Sequence, residues 1–142
     1  MSELHDFGQR ILREQPFSKM LGAELLELLP GKSVMQVPIT PTSLQQHGFA
    51  HGGLVSYLAD NALTFAGGSI LGDSVTAEFK INYLRPATGD RLEATATVEY
   101  SGKTQAVVRC VVEVLSDEER KTVAIAQGTI VRAKSDFARN DV

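Results

Sequence analysis

Gly52-Gly53 and Asp60 are the residues of this sequence whose types and spacing could act on a carbonyl group. The two glycines directly precede a run, 54–66, that contains no Gly or Pro and does not alternate as a strand would. A helix start presents unpaired backbone N–H groups and the positive end of the helix dipole. Glycine there lets a ligand come close to the backbone. Such donors suit a carbonyl oxygen that turns negative during acyl transfer, where one donor is worth roughly 3 kcal/mol in the transition state. Two glycines also make an ordinary tight loop, and that alternative stands beside the first. Asp60 lies in the middle of the run, among Leu58, Ala59, Ala62 and Leu63. Asp is a poor mid-helix residue, and a buried carboxylate without a partner is costly. A desolvated carboxylate is a stronger base and a better nucleophile than one in water. The alternative is a solvent-facing stripe, or a bond to backbone or to Asn61, but the neighbouring residues leave little polar stripe to occupy.

Two further residues bear on this pair. His51 directly precedes the glycines and His47 lies four residues before it. No Cys, Glu or further His joins them at ligand spacing, which argues against a metal. His51 reads as a structural residue that fixes the loop through its ring N–H. Thr76 opens the strand after the helix, and its hydroxyl could orient a water; β-branching alone would also place a threonine there.

The elements that must position these groups can be read from periodicity. Leu4, Phe7, Ile11 and Leu12 give residues 2–15 the spacing of a short amphipathic helix, with Ser2 as N-cap and Pro16 as its end. Residues 22–29 and 33–39 read as extended pieces joined by a Pro30-Gly31 turn. The run 54–66 is apolar around most of its circumference, the pattern of a buried helix, and Gly67-Gly68 should stop it. Residues 75–84, 91–100, 104–115 and 121–132 alternate with period two and read as four strands. A helix that must be covered on all sides calls for a strongly curved antiparallel sheet wrapped around it. Its ends and one flank would still lack cover, which a second copy of the chain could supply.

The bulk numbers set limits. The 142 residues, 43% hydrophobic and 22% charged, suit one globular domain with a sizeable core. A single cysteine excludes an intrachain disulfide, and Cys110, inside a strand of valines, reads as a small core residue. The net charge of −3, with Lys and Arg spread along the chain, argues against nucleic acid as partner. No stretch approaches the roughly 18 continuous apolar residues of a membrane span, and the first residues lack the pattern of a secretory signal, so the expected location is cytoplasmic.

Together these residues resemble the hotdog-fold thioesterases of the phenylacetic-acid-pathway type (PaaI-like). The resemblance rests on His51-Gly52-Gly53-Leu54-Val55, Leu58-Ala59-Asp60-Asn61-Ala62, and Phe79-Lys80-Ile81-Asn82-Tyr83-Leu84-Arg85-Pro86-Ala87. Gly89-Asp90, Ser101-Gly102-Lys103 and Ala126-Gln127-Gly128-Thr129 follow in order, and the whole covers about residues 20–133. It implies an α+β hotdog fold, a curved antiparallel β-sheet around a central buried helix with a short N-terminal helix, as one domain over 1–142 with a flexible tail at 134–142. It implies hydrolysis of an acyl- or aryl-CoA thioester to free acid and coenzyme A, without a cofactor or metal. Asp60 would be general base or nucleophile, and the N–H of Gly52, with that of Gly53, would polarise the carbonyl. Thr76 stands where relatives carry a Ser or Thr that helps place water. Gln45, six residues before His51, stands where relatives commonly have Asn, so the amide is kept but lengthened by a methylene. His51, Asn61, Tyr57 and Phe79 would lie on the substrate side, and Arg85, Lys103 or Arg132 would meet the coenzyme A phosphates. The active site would sit at a subunit interface of a homodimer or homotetramer, Asp60 of one chain facing the glycines of the other. A non-catalytic acyl-CoA-binding module is the alternative of another class, and a hotdog dehydratase or hydratase is a third reading.

Overall fold

The computed structural model describes residues 2–117 and 119–134; the expected tail at 134–142 lies, apart from Lys134, outside them. The chain opens with α1 (Glu3–Arg13), capped by Ser2, whose side chain accepts from the His5 N–H at 3.1 Å. Glu3 and Asp6 in its first turn and Arg10 and Arg13 in its last follow the helix dipole. Pro16 does not merely end this helix. It opens a second one, α2 (Pro16–Leu21), because the missing N–H costs nothing at the first helical position.

Six strands follow: β1 (Glu24–Leu29), β2 (Lys32–Pro38), β3 (Ser74–Tyr83), β4 (Arg91–Ser101), β5 (Gln105–Ser116) and β6 (Glu119–Arg132). They form one sheet in the order β1-β2-β4-β5-β6-β3, with every neighbouring pair antiparallel. The four predicted later strands therefore exist within a residue or two of their expected bounds. Pairing β3 with β6 leaves β3 as an edge of ten residues; β1, six residues long and bulged between Leu25 and Glu27, is the other edge.

Between β2 and β3 runs α3 (Gly52–Leu71), which packs against all six strands. Its buried face, including Leu54, Leu58, Ala59, Ala62, Leu63 and Ala66, meets small residues of the sheet such as Ala94, Ala96, Ala124 and Ala126. Burying each leucine is worth about 2 kcal/mol, and the alanines let the curved sheet close on the helix. Two hydroxyls set its depth. The buried Ser33 donates to the Ala62 carbonyl at 2.7 Å, and Ser69 accepts from the Gly31 N–H at 2.8 Å.

One expectation about α3 needs correcting. The helix runs through Gly67-Gly68 and closes at Gly72, with φ 89°. A Cβ on Gly67 would stand 2.8 Å from Ile130 Cβ, so this glycine lets the helix lie against β6 and does not terminate it. One flank of the helix lacks cover, as the sequence implies. Gly53, Ser56, Tyr57, Asp60, Asn61, Thr64 and Gly68, at helical spacing, form a stripe that the sheet leaves uncovered. Among the described residues no helix is long and apolar enough to cross a membrane.

Candidate active site

Asp60 sits on that stripe, half-buried. The Thr76 hydroxyl of β3 donates to Asp60 Oδ1 at 2.7 Å. Thr64, one turn further along α3, places its Oγ1 2.8 Å from Thr76 Oγ1 and 2.9 Å from the Asp60 backbone carbonyl oxygen. Two hydroxyl protons serve these three contacts, and the carboxylate, as the charged acceptor, holds that of Thr76. One carboxylate oxygen is thereby fixed, and Asp60 lines a groove of about 400 Å³. The far wall of this groove is α2. Asn61 Nδ2 reaches Gln15 Oε1, Tyr57 Oη and Ser18 Oγ at 3.0, 3.1 and 3.3 Å, and Tyr57 Oη donates to Ser18 Oγ at 2.6 Å.

The start of α3 is built differently. His51 is its N-cap, and Nδ1 accepts from the Gly53 N–H at 2.8 Å. The ring therefore fixes the loop with its lone pair, where a ring N–H was expected; Nδ1 carries no proton in this arrangement. The Gly53 donor is committed to the cap, and a Cβ there would crowd His51 Nδ1 at 3.0 Å. The Gly52 N–H has no acceptor among the described residues. Tyr83, at the end of β3, donates its hydroxyl to the Gly52 carbonyl at 3.2 Å and pins the helix start to the sheet edge. Gly52 opens on a second groove of about 380 Å³, lined also by Gln45, Phe49, Tyr83 and Arg85. Gln45 braces the loop there: its Oε1 accepts from the His47 N–H and its backbone N–H donates to the Phe49 carbonyl at 2.9 Å.

The residues singled out in the sequence thus fall into two groups on one helix. Asp60 and Thr76 adjoin Tyr57 and Asn61; Gly52 and Gln45 adjoin Arg85, next to the Gly53–His51 cap. Phe79 lies on β3 between them, half-buried against the core. Lys103 belongs to neither. It lies in the β4–β5 turn near Arg132 and the start of β3, while Arg85 follows the other end of β3, roughly 30 Å away along the strand. Sequence reasoning missed Thr64, although Asp and Thr four apart share a helix face. It also missed Gln15, Phe17 and Ser18, for which Pro16 at a first helical position was the available signal. Cys110 is buried and its thiol is pushed up to about 12 by burial, so it packs as a core residue and is no nucleophile.

Known proteins share this architecture. The thioesterase superfamily profile matches residues 47–121, the stretch that holds Gly52, Asp60, Thr76 and β3. The chain is 34% identical over 112 residues to the acyl-coenzyme A thioesterase PaaI of Escherichia coli, covering 78% of each protein. It is 30% identical to the 1,4-dihydroxy-2-naphthoyl-CoA hydrolase of Listeria monocytogenes, covering 80% of this chain and 93% of that one. The crystal structure of a thioesterase family protein from Silicibacter pomeroyi superposes with a TM-score of 0.83 at 34% identity, covering 86% of this chain and 92% of that one. With its helix wrapped by a six-stranded antiparallel sheet, the chain belongs to the thioesterase superfamily, in the hotdog fold, and is a thioester hydrolase.

Proposed function

We propose that this chain hydrolyses acyl-CoA thioesters, with Asp60 as the base or nucleophile and the Gly52 N–H as the donor to the thioester carbonyl. The observation that carries the reading is the Asp60 carboxylate, held through one oxygen by Thr76 at 2.7 Å and lining a groove. As a base, Asp60 takes a proton from water, the hydroxide adds to the carbonyl carbon, and the oxyanion is met by the Gly52 N–H. The C–S bond then breaks, and the proton passes to the departing thiolate. As a nucleophile, the carboxylate adds to the carbonyl carbon and the C–S bond breaks to release the thiolate; water then cleaves the resulting anhydride, giving the free acid, restoring the Asp60 carboxylate and leaving a proton for the thiolate. Thr76 supports either course by fixing the carboxylate, and Gln45 would offer its amide N–H groups to the carbonyl or the water. Arg85 would meet a coenzyme A phosphate.

The geometry favours a site shared between two chains. Gly52 and Asp60 are eight residues apart on one helix, about 12 Å along its axis, too far to hold one carbonyl carbon and its oxygen. β3 carries Thr76 near one end and Tyr83 at the other, beside Asp60 and Gly52 respectively. Its ten-residue edge is unpaired among the described residues, and such an edge is a template for another strand. Antiparallel pairing of two copies along β3 would set the Asp60 end of one against the Gly52 end of the other and complete two sites by symmetry. A homodimer, or a tetramer of such dimers, follows from this reading.

The test is steady-state hydrolysis of aryl- and alkyl-CoA thioesters by the wild type and Asp60→Asn. Removal of the base should lower kcat by about 10²–10⁴-fold without loss of folding. Unchanged turnover in the variant would sink the mechanism, and saturable binding without turnover by the wild type would establish the binding module instead.

A further inference from the structure

We propose that α2 forms the acyl-binding wall of the Asp60 groove and that Phe17 sets the size of the acyl group accepted. The inference rests on the acyl-thioester reading above and extends it to a segment before residue 47, where the superfamily match begins.

The charges around the two grooves assign the two halves of the substrate. Among the described residues, the Gly52 groove is lined by Arg85 and by no carboxylate, and the Asp60 groove by Glu14 and Asp60 and by no Lys or Arg. A polyphosphorylated leaving group is repelled by the second and drawn to the first. The uncharged acyl group is left with the Asp60 groove, and the reacting carbonyl lies between the two.

The wall of that groove is apolar, aromatic and held in place. Phe17 meets the Tyr57 ring edge-on, with centroids 5.3 Å apart and planes at 89°. Tyr57 stands one turn before Asp60 on the same face of α3. Phe17 is 56% exposed although it is a large apolar residue, so its ring presents a free face where the groove opens. Below it, Ser18 is only 1% exposed and donates to Gln15 Oε1 at 2.6 Å while accepting from Tyr57. Asn61 closes the network onto Gln15 and Ser18. These bonds tie α2 to α3, so the aromatic pair is a rigid stop. A compact acyl group can lie along Tyr57 against Phe17; a long chain must displace the ring.

The test compares kcat/KM across straight-chain thioesters from acetyl-CoA to dodecanoyl-CoA for the wild type, Phe17→Ala and Phe17→Trp, with thermal unfolding as the control for folding. Removing the ring should raise the long-to-short ratio of kcat/KM about tenfold or more, and the larger indole should lower it. Inhibition by free coenzyme A should stay the same in both variants, because that ligand occupies the other groove. A uniform change at every chain length, or altered coenzyme A inhibition with the acyl preference intact, would overturn the assignment. A wild type that binds acyl-CoA without turnover removes the hydrolase reading alone; the same ratio is then read from dissociation constants, and a constant ratio across the three proteins rejects the wall.

Discussion

The two proposed half-sites on α3 are made of different material. At the helix start the proposed donor is a backbone N–H that has no acceptor among the described residues, while the histidine cap takes the next one along. At Asp60 everything depends on side chains: a carboxylate from α3, a hydroxyl from β3, and a roof from α2. A backbone donor is a property of where a helix begins, and no ordinary side-chain substitution removes it. A positioned carboxylate is a property of packing, and losing one hydroxyl disturbs it. The first half-site should therefore yield only to changes of the backbone itself, and the second to changes of single atoms.

The strongest challenge to this contrast uses one variant from each half. Gly52→Pro deletes the N–H at the first helical position, where proline fits and where His51, at φ −60° and ψ 139°, already has the extended backbone that precedes proline. The expected loss in kcat is about 10²–10³-fold, with the melting temperature held. Refolding Gly52→Pro together with Asp60→Asn at equal amounts then decides whether the halves belong to one chain. If the site is shared, half of the dimers are mixed and one of their two sites is intact, so about a quarter of wild-type activity returns. If each chain holds its own site, none returns.

Next in size is Thr76→Val, which keeps the shape and removes the hydroxyl bound to Asp60. One hydrogen bond to a charged group is worth about 1.5–3 kcal/mol, so kcat should fall about tenfold or more with KM nearly unchanged. An equal fall in Asp60→Asn and the double variant, with no further loss from Thr76→Val, would show that the hydroxyl acts through the carboxylate. A full tenfold loss on top of Asp60→Asn would place Thr76 on the water instead and blur the comparison.

The two halves were also unequally legible in the sequence. Gly52-Gly53 ahead of an apolar run is a local signal, and the structure puts a helix start there. Asp60 could be marked as unusual but its surroundings could not be drawn. Thr76 and Phe79 are three apart and should point to opposite faces of a regular strand. A bulge between Thr76 and Glu78 returns both to the half-buried side, and such an irregularity leaves no mark in the periodicity. The uncovered flank of α3 could be expected but not located, for a related reason. Tyr57, Ala59 and Ala62 make the helix look apolar nearly all round, while the stripe is set by where the sheet stops. Pro16, which reads equally as an end and as a beginning, concealed α2.

The smallest effect should come from His51, and it sharpens the contrast by separating the cap from the donor. His51→Ala removes the acceptor that holds the Gly53 N–H. The cost in stability should be that of a lost N-cap, about 0.5–2 kcal/mol, read as a lower midpoint in urea. Turnover should fall less than in Gly52→Pro, since the Gly52 N–H remains and only its aim loosens. His51→Asn supplies a shorter cap acceptor of the preferred kind, so it should recover the stability and most of the activity. If Asn restores stability while turnover stays as low as in Gly52→Pro, then His51 touches the substrate, and the helix start is no longer a site made of backbone alone.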